Sequence, residues 1–363
     1  MGDLVKNNFS DIYRDKRVLV TGDTGFKGSW LSVWLHTLGA EVYGFALPPK
    51  SNNDNFVRCD LQNKIHHRDG DIRDPHALAD YVKEVRPDIA FHLAAQALVL
   101  DSYRDPAETF ETNVVGTVRF FEAVRAISSV RAAINVTSDK CYQNNEWVWG
   151  YRENDPMGGA DPYSASKGAS ELITSSYAQS FFSSEGTCSI ASARAGNVIG
   201  GGDWAENRII PDFFRAVQKN QTLILRNPNA VRPWQFVLEP LRGYLTLGEK
   251  LFLHGKTYSG GWNFGPAMHH ACSVQELILA LISKTGFGRF ETAAVKQNEH
   301  EAYMLRLDIS KAVSRLSWKP ALSLEQTIAL TAQGYHDDAS TGSLWDARKK
   351  QLDEYLSLSS HTI

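Results

Sequence analysis

Apolar positions in the first half of the chain come in short runs separated by stretches where they recur at helical spacing. Runs around Val18, Val42, Ile65, Ile89, Ile134 and Ser189 predict six strands. Between the first two, Leu31, Trp34, Leu35 and Leu38 share one helix face, and Gly39 closes that helix. Residues 87–93 and 130–137 are further strand-like apolar runs. Strands alternating with helices imply parallel pairing through right-handed crossovers. The expected fold is therefore α/β, a Rossmann-type doubly wound parallel sheet. After Arg194 the alternation breaks. Asn197-Val-Ile-Gly-Gly-Gly-Asp203-Trp204 reads as a glycine-rich loop, Arg208-Ile-Ile-Pro-Asp212 leads into a helix through Gln218, and short strands and helices then mix. A smaller mixed α/β C-terminal lobe is expected over 196–350. Residues 1–195, with return segments near 230–265, would form the sheet domain. Residues 1–16 and the polar tail beyond about 340 are expected to be peripheral.

The first strand, Arg17–Thr21, runs straight into Gly22-Asp-Thr-Gly25-Phe-Lys-Gly28 and then a helix. Strand, glycine-rich turn and helix together make a dinucleotide site. The glycines let backbone approach a pyrophosphate, which sits at the positive helix N-terminus. Gly22, Thr24, Gly25, Phe26, Lys27 and Gly28 are the candidate cofactor-binding turn. Ligands of open α/β sheets bind outside the carboxyl ends of the strands. The run 130–137 therefore delivers Ser138 and Asp139 to the active edge by topology.

Thr137-Ser138-Asp139-Lys140 and Tyr163-Ser-Ala-Ser-Lys167 supply the candidate chemistry. On a helix, Tyr163 and Lys167 lie one turn apart on one face. The ammonium is expected to draw the phenol from its usual ~10 towards neutrality, making it a base for an alcohol hydroxyl while hydride leaves the same carbon.

With 363 residues, 43% of them hydrophobic, the chain can build a large core. A net charge of −3 gives no basic footprint for nucleic acid. Met1 to Lys6 holds no apolar run, and no stretch reaches the ~20 apolar residues of a membrane helix. Cys59, Cys141, Cys188 and Cys272 show neither paired nor metal-like spacing, so a reduced cytoplasmic protein is expected. The His66-His67, His269-His270 and His300-Glu301 pairs lack metal-site spacing.

From about Arg17 to about Ser323 the chain resembles the extended short-chain dehydrogenase/reductase family, whose turn reads T-G-x-x-G-F-x-G. The resemblance extends to Asp69-Gly-Asp71-Ile72, like the acidic turn that contacts adenine, and to His92-Leu93-Ala94-Ala95-Gln96, like the strand end passing the cofactor ribose and phosphates. Asn113 matches the family's helix asparagine. It implies that Ser138 bonds the reacting oxygen, Tyr163 moves its proton, and Lys167 tunes the tyrosine and holds the nicotinamide ribose. After the second strand, Leu47-Pro-Pro-Lys50 carries neither the acidic residue of NAD enzymes nor the basic one of NADP enzymes. Lys50 and Arg58 remain candidates for a phosphate, and the subgroup implies NAD.

That subgroup is the sugar-nucleotide 4,6-dehydratases. It is implied by Asp139-Lys140, where 4-epimerases carry small neutral residues, together with Gly-Gly-Asp-Trp and Arg232-Pro-Trp-Gln-Phe-Val-Leu-Glu-Pro240. CDP-glucose is the implied substrate, on the route to dideoxy sugars of bacterial surface polysaccharide. Lys140 would take the C5 proton and a protonated Asp139 would serve the departing 6-hydroxyl. Asn197, Arg208 and Arg232 would bind substrate. The Trp147 and Trp149 loop either covers apolar surface or walls the sugar site, and Cys141 and Tyr142 read as packing. A homodimer is implied through helices near 104–125 and 162–182, although Leu172, Ile173, Tyr177 and Phe181 suit a core equally. A 4-epimerase, a dehydratase of another nucleotide sugar and a non-catalytic dinucleotide sensor are the alternatives.

Overall fold

The computed structural model describes residues 8–184, 186–267, 271–293, 304–340 and 342–360; His269-His270 and His300-Glu301 lie outside the described residues. The central sheet consists of β1 (Arg17–Thr21), β2 (Glu41–Ala46), β3 (His66–Asp69), β4 (Ile89–His92), β5 (Ala132–Val136), β6 (Ser189–Ala195) and β7 (Gly260–Phe264). Its order is β7-β6-β5-β4-β1-β2-β3, with every neighbour parallel. The first six are the strands the apolar runs predict. The seventh arrives from the return segment, pairing Gly260–Phe264 with Ala191–Ala195.

Strand alternation divides the core across the two faces of this sheet. Val18, Val20, Ile89, Phe91 and Ile134 enter one apolar cluster, while Leu19, Ala90 and Ala133 enter the other. Helices cover both faces: α1 (Phe26–Thr37), α2 (Ala77–Val85), α3 (Val99–Arg104), α4 (Pro106–Phe110), α5 (Gly116–Arg125) and α6 (Pro162–Ser180). Beyond β6 come α7 (Ile209–Gln218), α8 (Leu238–His254), α9 (Val274–Thr285), α10 (Ser310–Leu316), α11 (Leu324–Asp338) and α12 (Trp345–Ser360). Helix α8 returns to the sheet, with Leu241, Tyr244, Leu245 and Leu251 buried in its core. A separate cluster of Ile210, Phe213, Leu223, Trp234, Leu277, Leu281 and Ile328 holds the second lobe.

β1 lies between β2 and β4, the point where strand order reverses and a crevice opens. Here the chain requires glycine. Gly22 has φ +78°, and a Cβ on it would stand 2.7 Å from the Ala94 nitrogen, so the turn after β1 touches the end of β4. A Cβ on Gly28 would lie 2.0 Å from the Gly22 oxygen. This glycine lets α1 start directly against the turn.

The expectation that both chain ends are peripheral is corrected. Tyr13 is buried and donates to the Leu245 carbonyl at 2.6 Å. Helix α12 places Leu352, Tyr355 and Leu356 in the sheet-domain core, with Tyr355 edge-on to Trp34. Arg348, fully buried, pairs with Asp338, donates to Asn55 Oδ1 at 2.8 Å and lies 5.1 Å from the Trp30 ring. Asp338 in turn accepts from the Gly202 amide at 2.8 Å. The segment reads as polar because its charged residues hide the apolar stripe, and Arg348 itself faces inward. Arg348→Ala strands a buried carboxylate and is expected to cost about 3–5 kcal/mol of unfolding free energy in urea denaturation; a loss under about 1 kcal/mol would contradict the clamp.

Candidate active site

A single cleft of about 1920 Å³ follows the carboxyl edge of the sheet and continues into the second lobe. Pockets for one small ligand hold roughly 300–1,000 Å³, so this cleft has room for two ligands. All the predicted site residues except Asn113 line it.

At the cofactor end, α1 opens at Gly25, which offers no side chain to cap the helix. The first-turn amides are thus left for a ligand. A Cβ on Gly25 would meet only the Gly22 oxygen, at 3.3 Å, so its outer side is open space. Gly22, Gly25 and Gly28 together form a backbone cradle that fits a dinucleotide pyrophosphate. Asp71 and Ile72 line the cleft beyond it, the Arg73 guanidinium holding Asp71 below the usual carboxylate range at 2.6 Å. From the end of β4, Leu93, Ala94, Ala95 and Gln96 form the facing wall.

Asn113 stands behind that wall, which corrects its expected direct contact with a cofactor. It sits in a π-helical segment, Glu111–Val115, that swings its amide inward. Its Oδ1 accepts from the Gln96 amide at 2.8 Å, and its Nδ2 donates to the Gln96 carbonyl and Ser166 Oγ, both at 2.9 Å. Its effect is to fix the Gln96 backbone. Arg58 is also reassigned. Its guanidinium donates to the carbonyls of Asp338 (3.0 Å) and Ser340 (2.7 Å), holding the C-terminal segment, whereas Lys50 lines the cleft.

At the catalytic end, Ser138 caps a single 3-10 turn, Asp139–Cys141. Its Oγ accepts from the Lys140 amide at 3.2 Å and donates to Asp139 Oδ1 at 3.0 Å. Asp139 is buried. Desolvation raises its pKa, opposed by Lys140, the Ser138 hydrogen bond and Arg232. Asp161 and Pro162 start α6, the Asp161 carboxylate accepting from the Ser164 amide at 2.9 Å, so Tyr163 enters the first helical turn. Its amide donates to Ser102 Oγ at 3.1 Å. Lys167 follows one turn later, with Nζ 6.0 Å from the Tyr163 ring.

The phenol does not reach neutrality. Burial pushes Tyr163 up to about 12, against the downward pull of the Ser138 hydrogen bond. Burial also lowers Lys167 to about 8, with Glu171 pulling upward. A phenol at 12 needs roughly 7 kcal/mol to ionise at neutral pH. One charge at 6.0 Å supplies roughly 3 kcal/mol at an effective dielectric of 20. The lysine alone is insufficient, because desolvation outweighs it.

Sequence reasoning missed the group that holds these residues together. Glu171, one turn beyond Lys167, is buried and accepts from Thr137 Oγ1, from Ser192 Oγ at 2.6 Å and from Arg194 at 2.6 Å. Arg194 donates onward to Tyr142 Oη at 2.5 Å, and Tyr142 donates to Asn263 Oδ1 at 2.7 Å. Tyr142 also lines the cleft, so packing is only part of its role. The available signal was Arg194 in an otherwise small, apolar strand, with Glu171 at helical spacing from Lys167.

At the substrate end, Asn197, Arg208 and Arg232 face the cleft. Arg208 is aimed by Asp203 at 2.9 Å, and the Asp203 carbonyl accepts from Tyr335 Oη at 2.5 Å. Gly-Gly-Asp-Trp was recognised as a motif, but this aiming role was not. Gln143 to Glu146 line the cleft, while Trp147 stacks on Tyr151 and meets Trp149 at a tilt, both at 5.4 Å. Trp147 covers the apolar cluster of Cys141, Tyr142 and Tyr151, while Trp149 is exposed. Among the remaining histidines, His67 is held between Asp23 (2.7 Å) and Asp69 (3.1 Å), and His66 stacks on Tyr43.

The cleft thus joins a dinucleotide cradle to a buried acid, two amines and a phenol, with arginines beyond them. That set suits hydride chemistry on a hydroxyl-bearing ligand carrying an anionic group. A family model described as GDP-mannose 4,6 dehydratase matches residues 19–331. The chain is 44% identical to a CDP-glucose 4,6-dehydratase of Salmonella typhimurium, covering 98% of this chain and 99% of that protein. It is 28% identical to a UDP-glucose 4-epimerase of Mycolicibacterium smegmatis, covering 88% and 99%. The fold is similar to the crystal structure of DesIV, a dTDP-glucose 4,6-dehydratase of Streptomyces venezuelae with NAD bound; the TM-score is 0.77 at 23% identity, covering 91% and 99%. Glu171→Gln removes the charge supporting protonated Lys167. Its expected result is an alkaline limb of the pH–rate profile moved to lower pH; an unmoved limb with full activity would show that Glu171 does not act through Lys167.

Proposed function

The chain belongs to the GDP-mannose 4,6 dehydratase family, and from that premise we propose that it converts CDP-glucose to CDP-4-keto-6-deoxyglucose with NAD as its cofactor. The observation carrying this reading is the Asp139-Lys140 pair at the cleft, beside Ser138, Tyr163 and Lys167. A 4-epimerase has no use for an added acid and base. The choice of CDP-glucose is supported by the 44% identity, over nearly the whole chain, to a CDP-glucose 4,6-dehydratase. NAD is supported by the open glycine cradle and by the NAD bound to DesIV.

In this reading NAD, held by the Gly22–Gly28 turn and the Leu93–Gln96 wall, would supply an acceptor for the C4 hydride and its return to C6. Tyr163, bonded to Ser138, would receive the proton of the 4-hydroxyl as phenolate, a form that Lys167 alone does not supply and that the positive charge of oxidised NAD would favour. The resulting ketone acidifies C5–H, and Lys140 removes that proton. Asp139, whose pKa burial raises, gives its proton to the departing 6-hydroxyl. Water leaves, C5 is reprotonated, and no external oxidant is consumed. Arg232 and Arg208 hold the substrate diphosphate, with Asn197 beside them.

Incubation with CDP-glucose and NAD should yield a product lighter by one water in mass spectrometry, without NADH accumulation. Unchanged mass with a galactose configuration would replace this reading by epimerisation, and inertness towards CDP-glucose but turnover of dTDP- or GDP-linked hexose would move the base specificity. Lys140→Ala should still reduce NAD with CDP-glucose while forming no dehydrated product; full turnover by this variant would remove Lys140 from the reaction.

We further propose a homodimer through α3–α6. Leu172 is 62% exposed, and Tyr103, Phe110, Val115 and Phe181 are also exposed, whereas Ile173 and Tyr177 pack against the core. Sedimentation should give a dimer mass that Leu172→Glu lowers to the monomer; a wild-type monomer would refute it. A reducing cytoplasm is the proposed place of action, supported by four cysteines that are all thiols.

A further inference from the structure

Two segments of the proposed cofactor site are joined by a single side chain. His67 on β3 places Nδ1 2.7 Å from Asp23 Oδ2, in the glycine-rich turn, and Nε2 3.1 Å from Asp69 Oδ1, at the end of β3 where the acidic turn starts. Gly22, Thr24 and Gly70, the chain neighbours of those two carboxylates, line the cleft. The His67 side chain is 6% exposed and Asp23 is fully buried, whereas Asp69 is open to solvent. The fold makes room for this arrangement. His67 pairs in register with Gly44 on β2, and a Cβ on Gly44 would stand 2.0 Å from Asp23 Oδ2. Glycine inside a strand marks such a close approach. Phe56 covers the imidazole, with 4.8 Å between ring centres.

Ionised carboxylates only accept hydrogen bonds, and a neutral imidazole has one N–H to give. Both bonds therefore need one proton more than a neutral imidazole between two carboxylates can supply. Placed on the ring, that proton makes an imidazolium between Asp23 and Asp69. Burial pulls His67 down, and its bonds to Asp23 and then Asp69 outweigh burial, holding it above the ordinary range. The ionisable groups facing the pair are Asp23 in the turn after β1, Asp69 on β3 and Tyr81 on α2, while β2 and the Asn55–Arg58 turn present Gly44 and Phe56. Asp23 Oδ1 has no hydrogen-bond partner among the described residues, so compensation of this carboxylate falls to His67. Uncompensated, Asp23 would set a negative charge in the turn that holds a diphosphate, opposing the positive end of α1.

We propose that His67 is a positioning residue of the cofactor site: as imidazolium it ties the glycine-rich turn to the acidic turn and neutralises Asp23 next to the pyrophosphate cradle. The inference rests on NAD as cofactor and is independent of which sugar nucleotide reacts. Protonated, His67 donates to both carboxylates, so the two turns keep a fixed spacing across the adenosine end of the cleft. On loss of the proton, one ring nitrogen becomes a lone pair facing a carboxylate. That contact is repulsive, one turn is released, and a net negative charge remains beside the diphosphate. Affinity for the adenosine diphosphate part of the cofactor is therefore full below the folded-state pKa of His67, which lies above the usual 6.5, and falls as pH rises through it. The nicotinamide end, with Tyr163 and Lys167, plays no part in this dependence.

The test uses ADP-ribose, which carries the adenosine and pyrophosphate without the nicotinamide, titrated calorimetrically into the full chain from pH 6 to pH 9. Wild-type affinity should weaken roughly tenfold across that range, an ordinary size for coupling between two sites. In histidine-15N-labelled wild type at pH 6.5, His67 should show both ring N–H resonances. Asp69→Asn keeps an acceptor for Nε2 but removes a charge that holds the imidazolium, so its step should move to lower pH. His67→Asn keeps a donor towards Asp23 without the positive charge and should bind weakly with no step; circular dichroism checks its fold. A flat wild-type profile, a single ring N–H, or a step unmoved in Asp69→Asn overturns the proposal. Asp69→Asn, at an exposed position, decides it if His67→Asn does not fold. ADP-ribose that fails to bind at any pH would remove the dinucleotide reading of the cradle and this inference with it, whereas product mass alone decides the dehydratase reading.

Discussion

The proposed reacting groups depend on one buried carboxylate. Glu171 accepts from β5 through Thr137 and from β6 through Ser192 and Arg194, while it belongs to the same helix as Tyr163 and Lys167. A charge in so dry a place is tolerable only when every lone pair is engaged. That demand fixes α6 against the strand end, so the Ser138 turn and Tyr163 meet without support from loops. Arg194 extends the constraint through Tyr142 to Asn263 on β7. The chemistry-bearing residues are thus set by strands and a helix, a more rigid frame than the surface segments around them.

The fold was legible wherever burial leaves a periodic trace. Val18, Leu19 and Val20 alternate between two cores, and the Gly22 turn announces both the crevice and the helix that follows it. Tyr163 and Lys167 were legible for the same reason: their spacing alone places them on one face. Other features leave no such trace. Helix α12 carries a buried arginine on its inner face, which composition scores as surface. Glu171 and Arg194 look like ordinary charged residues until the sheet brings strands 5 and 6 beside the helix. Asn113 matched a pattern, but only the π-helical segment shows that it acts on Gln96.

Electrostatics was the least legible level. Spacing supplies the attraction between ammonium and phenol but says nothing of how much water each has lost. In the folded chain, desolvation is the first cause for Tyr163, Lys167, Lys27 and Asp139 alike, and it drives each towards its neutral form. An acid and several bases can then coexist in a small volume without forming inert ion pairs.

The clasp between Arg348 and Asn55 spans 293 positions of the chain. Trp30 and Trp34, which lie beneath α12, belong to α1 near the other end of the described chain. The core of the dinucleotide-binding half is thus closed by a segment about 290 residues further along the chain. Without that segment both indoles lose their α12 partners. The two sides of this core are contributed by opposite ends of the described chain.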